Sequence, residues 1–290
     1  MVRGAADLLA RGEFVTGPAG KSPAYKSMVA SAFGAAASGY EATASVQKQV
    51  AERLAARIAA EPLPEAPRIL ELGCGTGFLT RAIAGHHPQA HWLVTDLSPT
   101  MVRYCRDHSR FPRASASFVA MDGERPSLTP TKTGGFDLIC TSLAMQWFTT
   151  PAETLAELAA LLAPGGLLAW STLAAGTFAE WRQVHAELGL VAGVPNYPEP
   201  ATLAGLWPTE GDANGHGQIE TERLVSHHAD GYTFLRVLRA IGADVPVSGH
   251  HPLPAGALRR VLRRFAAPDG ISVSHVVAFG LFRRAGPDIP

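Results

Sequence analysis

Glu71, Gly73, Gly75, Gly77, Asp96 and Asp122 are the residues whose types and spacing could do chemistry together. The stretch LELGCGTGFLTRAI, residues 70–83, runs from an apolar strand into a glycine loop and on into a helix. Such a loop lets backbone approach an adenosine cofactor closely, because glycine carries no Cβ. The dinucleotide fingerprint G-x-G-x-x-G needs a glycine at position 78, where this chain has Phe78. Glu71 ends the strand just before the loop, where its carboxylate would oppose a pyrophosphate and suit a cation. S-adenosylmethionine carries a sulfonium and an ammonium and no phosphate, so the charge points to it. Asp96 ends the next strand and can accept both ribose hydroxyls. A dinucleotide enzyme has the same acid, so Asp96 does not discriminate. Asp122 ends the third strand and can accept from the adenine amine.

Ligands of a parallel sheet sit at the carboxyl ends of its strands, where strand order reverses. The elements that must deliver these residues are readable. Strands are predicted over 68–73, 91–96, 116–122, 136–142 and 167–173, separated by helices over 78–84, from Ser98 and over 151–163. Ser98 is the expected N-cap with Pro99 at N1, and Pro164-Gly165-Gly166 the expected stop of the 151–163 helix. Upstream, 24–60 reads as helical with a middle weakened by Gly34 and Gly39. Val46, Val50, Leu54 and Ile58 recur every four residues as a buried stripe. After Leu173 the alternation fails. Helices are expected over 174–189, 232–243 and 254–267, and strands over 219–229 and 271–284. The organisation expected is a poorly ordered tail over 1–23, a helical lid over 24–65, and an α/β domain over 66–290 with a helical insertion at about 175–217.

Composition narrows the class. Hydrophobic residues make up 47% of the 290 and charged residues 17%, as in a globular protein with a full core. The formal net charge is zero, so nothing global points to nucleic acid or a membrane. Six arginines (259, 260, 263, 264, 283 and 284) against Asp269 and Asp288 make the last 41 residues locally basic. Cys74, Cys105 and Cys140 fit neither a disulfide framework nor a zinc site, and a cytoplasmic location is expected. The pairs His86–His87, His227–His228 and His250–His251 have no metal-ligand spacing, so no metal is assigned.

The motifs ELGCGTG, TDLSPTM, MDGE and FDLICTS resemble those of class I S-adenosylmethionine-dependent methyltransferases. That resemblance implies a doubly wound, mostly parallel, Rossmann-like sheet of seven strands with the last reversed, N-terminal helices, and a helical insertion covering substrate after strand 5. It also implies that Tyr40, Cys74, Leu97, Met101, Gly123 and Ser142 join the glycines and acids at the cofactor, with Gln47 behind Tyr40.

Outside the core, FGAAASGYEATASVQKQVAERL (33–54), TSLAMQWF (141–148), STLAAGTFAEWRQVH (171–185), LRVLRAIGA (235–243) and SHVVAFGLFRR (274–284) are similar to malonyl-[acyl-carrier protein] O-methyltransferases. The resemblance implies methylation of the free carboxylate of a malonyl thioester at the entry to biotin synthesis. It implies an acyl-carrier-protein or coenzyme A partner, with no nucleic acid or membrane, and the chain is expected to be a monomer. A carboxylate is ionised at neutral pH and needs no base, so no catalytic acid, base or metal is assigned. The resemblance implies that Gln146 and Trp147, over the methyl-donor site, bind the substrate, with Arg236 or Arg239 expected on its carboxylate. Arg259, Arg260, Arg263 and Arg264 share a helical face as an expected carrier-protein dock. The family usually reads TYH where this chain reads VSH at 273–275, so Ser274 predicts an altered acyl pocket if that position meets substrate. Two other readings stay open: a methyltransferase of another small acid or natural product, and a non-catalytic module that binds the cofactor.

Overall fold

The computed structural model describes residues 23–111, 115–128, 135–208, 214–241 and 253–286. The tail over 1–22 and the pair His250–His251 lie outside these residues. Two helices, α1 (Pro23–Thr43) and α2 (Ser45–Ala59), precede the alternating strands β1 (Arg68–Leu72), β2 (His91–Asp96), β3 (Ala116–Ala120), β4 (Phe136–Ser142) and β5 (Leu162–Leu173). The helices between them are α3 (Phe78–His86), α4 (Pro99–His108) and α5 (Pro151–Leu161). Then follow α6 (Ala179–Glu187), α7 (Pro200–Ala204), β6 (Gly215–His228), α8 (Gly231–Ala240), α9 (Ala255–Phe265) and β7 (Ile271–Arg284).

The seven strands form one sheet in the order β3-β2-β1-β4-β5-β7-β6. The first five run parallel, and β7 lies antiparallel between β5 and β6. Strand order reverses between β1 and β4, so the carboxyl ends of those two strands flank the crevice where such sheets bind ligands. Both strands are covered on both faces, which is why Ile69, Leu70, Leu72, Leu138 and Ile139 are all buried with little alternation.

Local details show what the residues are for. Val46, Val50, Leu54 and Ile58 of α2 are buried against the sheet. Helix α1 runs unbroken through Gly34 and Gly39, and the break comes at Ala44. A Cβ on Gly34 would stand 2.9 Å from the Ser98 hydroxyl, so this glycine admits α4 rather than bending α1. Ser98 occupies the N-cap of α4 but makes no side-chain cap bond there; its backbone N–H donates to Asp96 Oδ1 at 2.8 Å. Strand β5 starts five residues earlier than the expected Leu167, at Leu162, because Leu162 pairs with Phe136 across a register shift. Pro164-Gly165-Gly166 therefore lies inside the strand, and α5 ends before it.

The helical cover comes from two connections, not only from the expected 175–217 insertion. Helices α6 and α7 follow β5, while α8 and α9 lie between β6 and β7. Their shared core is aromatic: Trp181 packs edge-on against Phe234 at 5.7 Å and Phe265 at 5.4 Å. No described helix is long and apolar enough to cross a membrane.

Candidate active site

Backbone strain marks the glycine loop. Gly73 has φ +67°, and a Cβ there would come within 2.6 Å of the Ala144 methyl, so no other residue fits without a shift. Gly77 caps α3 at φ +94°, and a Cβ there would meet the Cys105 sulfur at 2.9 Å. The loop opens on a cavity at the ends of β1 and β4. Tyr40, Glu71, Gly73, Cys74, Gly75, Asp96, Leu97, Met101, Asp122, Gly123 and Ser142 line it. Gly77, expected among them, stands behind the loop and shapes it without facing the cavity.

The acids differ in how they are held. Glu71 is 1% exposed, and its Oε2 has no hydrogen-bond partner among the described residues. Burial, with the nearby Cys105, pushes its carboxyl well above the ordinary carboxylate range. An unpartnered buried acceptor on the wall of a cavity fits a cationic ligand, whose arrival would restore the ionised form. Asp96 is oriented by backbone: Gly75 N–H donates to Oδ2 at 2.9 Å and Ser98 N–H to Oδ1 at 2.8 Å. Each carboxylate oxygen has a lone pair left for a ribose hydroxyl. Burial raises the Asp96 pKa, and the two backbone bonds oppose that.

Asp122 has a partner the sequence did not suggest. Lys26 of α1 reaches it at 2.6 Å and also pairs with Glu124. Glu124 is buried and accepts from the backbone and side chains of Thr149 and Thr150. Burial would raise its pKa; the Lys26, Thr149 and Thr150 bonds outweigh that and hold it down to about 2. Thr150 is the N-cap of α5, so Glu124 also meets the positive end of that helix. Lys26 and Glu124 thus bind the N-terminal helix to the floor beside the expected adenine subsite.

A second cavity of about 820 Å³ adjoins the first. Gln146, Trp147 and Arg239 line it; Arg236 does not, and instead donates to Thr233 at 3.1 Å. Four histidines (His185, His227, His228 and His275) also line it. The Ser226 hydroxyl bridges the Nε2 atoms of His228 and His275 at 2.9 Å each. Burial, then the neighbouring His228, lowers the His275 pKa to about 4. Ser274 does not line this cavity. Strand residues alternate in direction, so the neighbour of cavity-facing His275 points away from it. Ser274 is held there by Glu180, to which its N–H donates at 2.9 Å, and by Arg223 at 2.7 Å.

Among the described residues, only Phe33, Tyr40, Gln47, Leu143 and Trp147 border both cavities. Leu143, the residue after β4, has φ +52°, a strained angle for a leucine. No carboxylate, imidazole or amine is among these five residues.

A family model described as a methyltransferase domain matches residues 69–166. The malonyl-[acyl-carrier protein] O-methyltransferase of Magnetococcus marinus is 39% identical over 87% of this chain and 90% of its own length. This chain belongs to that methyltransferase family. The Geobacter sulfurreducens relative of the same name is 32% identical over 88% of this chain and 98% of its own. The biotin biosynthesis bifunctional protein BioCD of Bordetella avium is 45% identical over 88% of this chain, which spans about half, 52%, of that longer protein. Among solved structures, the YcgJ protein of Bacillus subtilis superposes with a TM-score of 0.55 at 12% identity, covering 80% of this chain and 97% of that one. A Haloferax volcanii protein solved with the Trm112 methyltransferase activator gives 0.53 at 18% identity, over 88% of this chain and 95% of that one. These two establish the fold. The chain is a methyltransferase, and S-adenosylmethionine is its methyl donor.

Proposed function

We propose that the chain methylates the free carboxylate of a malonyl thioester carried on an acyl-carrier protein. The observation that carries this reading is the junction of the two cavities, where none of the five shared residues can act as a base at neutral pH. A methyl group passing from the first cavity to the second must meet a nucleophile that arrives already ionised. A carboxylate does so, with an ordinary pKa near 4. His275, on the wall of the second cavity, is too weak a base at about 4 to deprotonate an alcohol or amine. The names of the Magnetococcus and Geobacter relatives point to the same substrate.

The cofactor supplies a methyl on a sulfonium; the protein supplies position. Glu71, Asp96 and Asp122 would hold the cofactor's ammonium, ribose and adenine, each from a strand end. Arg239 borders the second cavity from an exposed position, so it can orient one carboxylate oxygen without fully neutralising it. The other oxygen attacks. With the cofactor bound, the oxygen–methyl bond would form as the sulfur–methyl bond broke, the bonding pair would stay on sulfur, and both charges would disappear. The gain is proximity, because the donor and acceptor cavities adjoin.

Helix α9 suits a carrier protein. Leu258 lines the second cavity, whereas Arg259, Arg260, Arg263 and Arg264 are exposed on the opposite side, Arg264 paired with Glu187 at 2.6 Å. Arg283 and Arg284 belong elsewhere, on Glu61 and on the carbonyls of Ala160 and Leu162 at the start of β5. An acidic carrier would meet this patch while its arm enters the cavity.

The test uses methyl-labelled cofactor with malonyl-carrier protein, malonyl-coenzyme A and free malonate. Base-labile label on the carrier thioester is expected; label on free acids alone would overturn the reading. Reversal of Arg259, Arg260 and Arg263 to Glu should depress activity on carrier protein more than on the coenzyme A thioester, and equal losses would remove the docking role.

A further inference from the structure

We propose that Phe33, Tyr40 and Trp147 form a cage that binds the cofactor's sulfonium through its charge, so that the site prefers the methyl donor to the neutral thioether left after transfer. The inference rests on the reading of the junction given above.

The positive sulfur must sit where the two cavities meet, because its methyl leaves one and is received in the other. Three of the five residues at that junction are aromatic. They hold one another: Phe33 packs edge-on to Trp147 at 5.6 Å and lies 6.4 Å from Tyr40. Aromatic faces attract cations within about 6 Å of the ring centre. The carboxylates that answer the cofactor's other groups, Glu71 and Asp96, line the first cavity and not the second.

That division has a chemical reason. A protein carboxylate beside the sulfonium methyl would be a nucleophile in competition with the substrate and would become esterified itself. A ring stabilises the same positive charge without a lone pair that attacks carbon. Tyr40 is consistent with this, since burial, and then the charge of Asp96, raise its pKa and keep the phenol protonated. The charge disappears on transfer, so the cage's attraction disappears with it and product leaves more readily than donor. Neither Phe33 nor the pairing of rings across the junction belongs to any glycine or acid motif.

The test compares two ligands of nearly one shape and different charge. Affinities of S-adenosylmethionine and S-adenosylhomocysteine are measured by calorimetry on the full chain and on Phe33→Leu, Trp147→Leu and Tyr40→Phe. Phe33→Leu and Trp147→Leu should each weaken S-adenosylmethionine about tenfold, while S-adenosylhomocysteine changes less than twofold. Tyr40→Phe, which keeps the ring, should leave the ratio of the two affinities unchanged. Unaltered binding of the neutral nucleoside also shows that a variant is folded. Parallel losses for both ligands in Phe33→Leu and Trp147→Leu would overturn the cage and leave simple apolar packing. If the unmodified chain binds neither nucleoside, the cofactor reading itself fails, and that result is distinct from loss of the preference.

Discussion

The floor of the cofactor cavity is built by the glycine loop and by strand ends, whereas the larger cavity beside it is walled by side chains from segments far apart in the chain. In the first, Gly73, Gly75 and Asp96 fix one another within the glycine loop and the next strand, through a left-handed turn and a 2.9 Å bond. In the second, Gln47, Gln146, Trp181, His228, Arg239 and His275 come from six different elements or their flanks. The first construction tolerates little variation, because its geometry is set by peptide groups and by a position that only glycine fills. The second can be re-lined one side chain at a time. A methyl donor that never changes and an acceptor that differs between enzymes suit these two constructions respectively.

The largest effect that would test this contrast is on Asp96. Asp96→Ala removes two hydrogen bonds to a charged acceptor, worth about 1.5–3 kcal/mol each, and frees the Gly75 amide as well. Cofactor affinity measured by calorimetry should fall at least about a hundredfold. A loss below tenfold would mean that the ribose is not held at the end of β2.

The same contrast explains what could be read in advance. The acids at 71, 96 and 122 were placeable because each directly follows an apolar strand run, and a strand end in a parallel sheet has a known address. Lys26 was not, since it meets Asp122 across 96 residues and nothing in its own helix singles it out. Phe33 likewise looks like an ordinary helical apolar residue until α1 is laid over the sheet. The early start of β5 was masked because LAELAALLA continues an apolar helical pattern into the residues that pair with Phe136. Ser274 raised the prospect of an altered acyl pocket because it stands where the family usually has tyrosine; strand alternation turns it to Glu180 instead. The cover formed by α8 and α9 was visible as two helices, but their association with α6 through Trp181 is a tertiary fact with no periodic signature.

A smaller effect separates the two arginines of α8. Arg239→Gln should raise KM for the malonyl thioester about ten- to a hundredfold with little change in kcat, since it removes orientation and charge from the second cavity. Arg236→Gln, outside that cavity, should stay within about twofold. Cofactor affinity should be unchanged in both. Equal KM values for the two variants would break the assignment of the second cavity to the acceptor.

The smallest expected effect is on stability against pH, where the two regions should respond in different windows. His275 has a usual pKa of 6.5 that burial lowers to about 4 in the folded protein. The unfolded chain takes up that proton first, so the stability His275 contributes is full above pH 6.5 and is lost as pH falls through 4. Glu124 falls from 4.5 to about 2, so its contribution is full above pH 4.5 and is lost as pH falls toward 2. Each proton changes stability by at most about 1.4 kcal/mol per pH unit. Acidification should therefore loosen the wall of the larger cavity before it releases the Lys26–Glu124 clamp on α1. Urea midpoints measured every half unit should fall less steeply between pH 6.5 and 4 in His275→Gln, with His228 and His87, shifted the same way, contributing to the slope that remains. Glu124→Gln should be less stable at neutral pH and flatter between pH 4.5 and 2. If His275→Gln left the upper window as steep as before, the histidine cluster would not be the acid-sensitive part of the second cavity, and both regions would titrate as one.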